Sequence, residues 1–173
     1  MQISLIVCII GEDRTGLVES LSRLITDQGG NWLESRMCSL ASKFAGIVRI
    51  HVPKEREESL VRSLEEIRSE DMIVIVHRDQ AEAHDRPTKT ASLTLVGQDR
   101  PGIIHQVSAA LAHQGVNVEE LESECSSAPM SGERIFKAIA KLQIPNSCIL
   151  SDLRGELEEI GSELMVDISF SET

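Results

Sequence analysis

Apolar residues along the first half of the chain change their spacing in a fixed order. "ISLIVCII" (3–10) is a short, nearly unbroken apolar run, as in a buried strand. From Gly16 the apolar positions Leu17, Leu21, Leu24 and Ile25 recur at helical spacing. They stop at Gly29, and glycine suits the left-handed residue that closes a helix. "NWLESRMCSLA" (31–41) reads as a strand, and "FAGIVRIHV" (44–52) alternates side chains as a half-buried strand does. Pro53 is then placed for the first turn of a helix, where its missing N–H has no partner to lose. "KEREESLVRSLEEIRSE" (54–70) carries apolar residues every three or four positions, and "MIVIVH" (72–77) closes the series as a strand.

The second half runs through the same series. "GEDRTGLVESLSRLITDQGGNWLE" aligns without gaps on "GQDRPGIIHQVSAALAHQGVNVEE" at an offset of 86. The identities include Gly11/Gly97, Asp13/Asp99, Arg14/Arg100, Gly16/Gly102, Gly29/Gly115 and Asn31/Asn117. Further on, Pro53 answers Pro145 at offset 92, the drift being absorbed near "SSAPMSGE" (126–133). Internal repetition of this length marks two copies of one structural unit. Each copy reads βαββαβ. The predicted fold is α+β: two ferredoxin-like domains in tandem, each a four-stranded antiparallel sheet with two helices on one face. Residues 1–79 form the first domain and 91–173 the second. The polar, aperiodic, proline-containing stretch 80–90 reads as a linker.

Charge narrows the function. Seventeen Lys and Arg against 28 Asp and Glu give a formal charge of −11, which argues against direct contact with nucleic acid. Trp32, Phe44, Phe136 and Phe170 are too scattered for a base-stacking platform. The apolar runs are too short to span a membrane, and "MQIS" lacks the basic start of a signal peptide, so a cytoplasmic protein is expected. Cys8, Cys38, Cys125 and Cys148 lie far apart and read as reduced thiols without disulfide or metal, Cys8 in an apolar strand and the other three as small core fillers.

The repeated turn carries the candidate chemistry. "GEDRTG" has the glycine spacing of a phosphate-cradling loop, but Leu17 and Val18 stand where a P-loop needs Lys and Ser or Thr. What remains is a helix start whose first N–H groups have no intrahelical partner and whose dipole favours an anion. Gly16 and Gly102 leave that backbone bare, so a carboxylate suits it. Asp13 and Asp99 can accept from an ammonium, and Asn31 and Asn117 can donate and accept at once. Together these groups describe a site for a free amino acid. Plainer readings stand beside it: Asp13 and Asp99 as helix caps, the glycines as close-packing residues, the asparagines as turn formers, Arg14 and Arg100 as solvated cations.

The runs "DRTGLVESLSRLITDQGGNWLES" and "DRPGIIHQVSAALAHQGVNVEELES" resemble the signature of ACT domains, the regulatory amino-acid-binding modules. The resemblance covers both copies. It implies effector sites where domains pair, built here from Asp13, Arg14, Gly16 and Asn31, and from Asp99, Arg100, Gly102 and Asn117. It further implies a transcriptional regulator that senses a small amino acid such as glycine or serine and acts through a DNA-binding activator protein. No cofactor is implied, and exposed sheet edges would pair two chains into a homodimer. Thr15 where the second copy has Pro101, and Trp32 where it has Val118, leave the first site narrower or occluded. Two other readings stay open: a ligand-independent interaction scaffold and a regulatory subunit of an enzyme. The chain itself shows no G-x-G-x-x-G, H-E-x-x-H or G-x-S-x-G motif, and its five histidines are scattered, with His105 and His113 eight residues apart on one predicted helix, too far to share a metal.

Overall fold

A computed structural model describes residues 1–67, 72–79, 88–127 and 132–172. Its contacts divide the chain into two compact units, Met1–Ala83 and His84–Thr173. The first unit holds β1 (Gln2–Glu12), α1 (Leu17–Asp27), β2 (Asn31–Leu40), β3 (Lys43–Pro53), α2 (Glu57–Glu66) and β4 (Met72–Arg78). The second holds β5 (Thr88–Gln98), α3 (Ile103–His113), β6 (Asn117–Ser127), β7 (Arg134–Pro145), α4 (Leu150–Leu164) and β8 (Val166–Glu172). Strand order is β2-β3-β1-β4 in one sheet and β6-β7-β5-β8 in the other, with every pair antiparallel. This is the α+β, ferredoxin-like arrangement predicted from the repeat.

Alternation explains why both helices take one face. Leu5, Val7 and Ile9 of β1 and Val48, Ile50 and Val52 of β3 point the same way, and Leu21 and Ile25 of α1 and Leu60 and Leu64 of α2 close over them. In the second unit Leu93, Leu95, Leu142 and Ile144 lie beneath Val107, Leu111, Leu153 and Leu157. The helix that follows each first strand ends alike. Gly29 and Gly115 take φ of 69° and 70°, and the next N–H reaches back to Ile25 in one copy and Leu111 in the other. That six-to-one bond, with its inner companion, is the Schellman closure.

Three expectations are corrected. Pro53 and Pro145 do not open helices; they end β3 and β7, opposite Gln2 and Thr88. A strand end tolerates the missing donor. A single 3-10 turn, Lys54–Arg56, precedes α2, and α4 begins five residues after Pro145. Thr88, Lys89 and Thr90, read as linker, pair with Pro145, Ile144 and Gln143 as the start of β5. The other predicted linker residues, 80–87, and the inserted Ala128 and Pro129 lie outside the described residues. Finally, Cys38 and Cys125 are exposed, because β2 and β6 are edge strands.

Two local features distinguish the first unit. Ala41 and Ser42 join β2 to β3 with φ of 49° and 65°, a left-handed pair with no glycine in it. Such a tight hairpin turn normally uses Asn-Gly. Glu57 at the start of α2 is buried and accepts a bidentate bond from the Arg78 guanidinium at the end of β4. That bond holds the Glu57 carboxyl below the usual glutamate range.

Replacing Ala41-Ser42 by Asn-Gly is expected to stabilise the chain by about 1 kcal/mol, read as a shift in denaturant midpoint at unchanged slope. Glu57→Gln is expected to lower the melting temperature at neutral pH. Because the folded carboxyl titrates below the unfolded one, its contribution is complete above the ordinary glutamate range and disappears as pH falls through the depressed value. The gap between wild type and Glu57→Gln in a melting series should therefore narrow as pH falls below the ordinary glutamate range.

Candidate functional site

Each repeated turn places a glycine between strand and helix. Gly16 has φ 91° and ψ 2°, and Gly102 has φ 99° and ψ −8°. A Cβ on either would meet nothing within 4 Å, so the dihedral and not close packing demands glycine. Ser20 and Gln106 donate the first intrahelical bonds, to the carbonyls of Gly16 and Gly102, both at 2.9 Å. The N–H groups ahead of them have no helical partner, and neither helix has a side-chain cap. Asp13 and Asp99 are therefore not caps. The first turn of α1 contains Glu19, whereas that of α3 contains no acid, so the positive end of α3 is the less compensated.

The aspartates anchor the turn instead. The Asp13 N–H donates to the Ser42 carbonyl at 2.9 Å, and its carboxylate accepts from the Ser39 hydroxyl. The Asp99 N–H donates to the Arg134 carbonyl at 2.9 Å, and its carboxylate lies 3.3 Å from the Arg134 guanidinium. Arg100 is half-buried, with Nη2 3.2 Å from Gln98 Oε1 and 4.0 Å from the Met165 sulfur. Arg14 is exposed and lines an open groove of about 470 Å³ between α1 and α2, together with Arg23, Asp27 and Glu66.

The asparagines stand elsewhere. Asn31 is opposite His51, which is opposite Ser4, whereas Gly11 is opposite Phe44 near the other end of the same strands. Seven residues of strand at about 3.4 Å each put roughly 24 Å between those ends. Asn117, opposite Gln143, is likewise at the far end of its sheet from Gly97. The reason is the helix, which carries the chain back along the sheet before the next strand begins. Within one unit the structure brings Asp13, Arg14 and Gly16 together, and Asp99, Arg100 and Gly102, but not the asparagines.

Small cavities flank the helices. One of about 30 Å³ is lined by Arg14, Val18, Met37 and Met72, and another of about 30 Å³ by Ile104, Ser108, Val118 and Leu121. Either has room for a water or two and not for an amino acid. Trp32, the counterpart of Val118, packs against the first core. The space before each helix start is open to solvent. Among the described residues no three His, Cys, Asp or Glu side chains converge to hold a metal, and no helix is long and apolar enough to cross a membrane. Burial pushes the Cys148 thiol up, away from a reactive thiolate. The sequence did not point to Ser39, Ser42 or Arg134 as neighbours of the turns. Ser42 and Arg134 are equivalent only at the second offset, beyond the point where the two repeats lose their common register.

Residues 4–77 and residues 91–144 each match the ACT domain. The chain is a tandem of two ACT domains. A curated relative, UPF0237 protein MK1213 of Methanopyrus kandleri, is 29% identical over 79 residues, covering 45% of this chain and 81% of that protein. Among solved structures, an unknown protein from Galdieria sulphuraria superposes with a TM-score of 0.86 at 27% identity, over 100% of this chain and 99% of that one. A candidate glycine cleavage system transcriptional repressor superposes with a TM-score of 0.70 at 18% identity, over 100% and 98%. That likeness shows a shared tandem ACT fold along the whole chain.

If the dihedral alone requires glycine, Gly102→Ala should cost about 1–2 kcal/mol although its methyl group would enter open space. Chemical denaturation checks this, and Gly155→Ala, on the exposed face of α4, supplies the unstrained comparison.

Proposed function

We propose that this protein is a regulator that senses a small amino acid, glycine or serine, and controls transcription of glycine cleavage by contacting a DNA-binding activator. The observation that carries the reading is the uncapped helix start at Gly102, with Asp99 and Arg100 in the turn immediately ahead of it. The α3 N–H groups and Arg100 suit the carboxylate of a zwitterion, and Asp99 has lone pairs left for its ammonium. Gly16, Arg14 and Asp13 make a second such corner. The ACT domains support amino-acid binding, and the formal charge of −11 favours a protein partner over DNA.

Asn31 and Asn117 enter this reading through a homodimer. If β2 of one copy runs antiparallel beside the full length of β2 of another, Asn31 stands opposite Leu40 of its neighbour, one residue along the strand from Ser39, which is bonded to Asp13. A strand start from one chain then completes the turn of the other. β6 is less suited to such pairing, since Glu120, Glu122 and Glu124 line that edge.

Glycine or serine at a hundredfold excess over its dissociation constant should stabilise the native state by about 2.7 kcal/mol, which is a rise of several degrees in melting temperature. Asp99→Ala should abolish the rise while leaving the unliganded melting temperature within a few degrees. A flat response to every common amino acid rules the sensor out. A transcription activator retained equally with and without glycine would then leave the scaffold reading.

A further inference from the structure

The two sheets differ on the face turned away from their helices. In the first sheet that face presents Ile6 and Ile10 from β1, Ile47 from β3, and Ile73 and Ile75 from β4. Cys8 lies between Ile47 and Ile75 in register, and Ile10 lies between Ala45 and Ile73, so the apolar positions form two rows across three strands. Ile10, Ile47, Ile73 and Ile75 remain 47–53% exposed. A continuous apolar surface of this kind on a folded chain marks an interaction site.

The duplication supplies an internal comparison. Where the first sheet has Ile6 and Cys8, the second has Ser92 and Thr94. Lys137 stands for Ala45, Asp167 for Ile73 and Ser169 for Ile75. Only Ile47 keeps its identity, as Ile139. The same fold therefore accepts a polar open face, so the isoleucines are not required to build the sheet.

The border of the apolar face indicates what covers it. Glu12 pairs with Lys43, and Arg49 lies 2.9 Å from Glu34 and 3.9 Å from Asp79. With Arg36, opposite Ile47, cations and carboxylates balance on this face, in a chain whose formal charge is −11. The second sheet instead turns Glu120, Glu122, Glu124 and Asp167 outward against Lys137 and Lys141. A basic partner would be drawn to that second surface. An apolar face with a neutral border of both signs is complementary in character to a second copy of itself across a two-fold axis. Four strands about 4.8 Å apart, with β1 running some 26 Å from Ser4 to Glu12, give roughly 500 Å² per copy and 1,000 Å² in total, the size at which a specific interface begins.

We propose that the open face of the first sheet is covered by the same face of a second copy of this chain, the two sheets stacked about 10 Å apart as in a β-sandwich. This contact is separate from edge pairing along β2 and does not depend on any bound amino acid.

The test is the mass of the full chain in solution, by sedimentation equilibrium without amino acids. Transplanting the second sheet's residues, Ile73→Asp with Ile75→Ser, should halve the assembly mass at micromolar concentration and raise the dissociation constant about 100-fold or more, because it buries an unpaired carboxylate in the contact. The far-ultraviolet spectrum should stay native, since the second sheet folds with those residues. Ile139→Glu, on the equivalent surface of the second sheet, should leave the mass unchanged. Should the double variant lose its native spectrum, Ile75→Ser alone is read and should still raise the dissociation constant at least about tenfold. A wild-type monomer, or a mass that both Ile75 variants leave intact, overturns the proposal. A mass that both variants leave intact does not bear on amino-acid sensing, which the melting-temperature series reads independently; a wild-type monomer would also remove the homodimer through which Asn31 joins that site.

Discussion

A residue near φ +90° between the first strand and first helix turns the chain back over its own sheet, and a side chain there would be strained. Much else follows from that turn. It sets the helix antiparallel to the strand it has just left, so Leu21 and Ile25, or Val107 and Leu111, come down on the alternating apolar residues of the sheet. It also removes any capping side chain from the helix start, leaving a bare positive end in solvent. The fold and the candidate chemistry thus arise from one backbone requirement, met twice at Gly16 and Gly102.

Around that common turn the two ACT domains have diverged in what surrounds the core. The first has a buried Glu57–Arg78 pair, a strained Ala41–Ser42 hairpin and an indole against its core. The second has a bare helix start, an aspartate tied to Arg134 and a polar open sheet face. Duplicated units that must do one task tend to be judged by their shared residues. Here the differences are as informative, because each domain shows which features the fold can do without.

The elements and their order were legible because each copy shifts between periods of two and 3.6 at residues such as Gly16, Gly29 and Pro53. Two expectations about strand and helix ends failed for one reason. Pro53 and Pro145, and likewise Thr88, lie where a strand continues only because another strand runs alongside, and that pairing is invisible in a linear pattern. The same limitation hid Ser39, Ser42 and Arg134. They approach the repeated turn through a hairpin whose register depends on the partner strand.

The residues by themselves determined that there are two copies, that each is βαββαβ, and that Gly16 and Gly102 expose a helix start, since periodicity and backbone freedom are local properties. Only the tertiary arrangement decided that Asn31 and Asn117 stand about a strand's length from those turns. It alone also gave Asp13 and Asp99 protein partners and showed the isoleucines of β1, β3 and β4 sharing one uncovered face. Distance across a sheet is set by which strands pair and in what register, and that is a collective property of the folded chain.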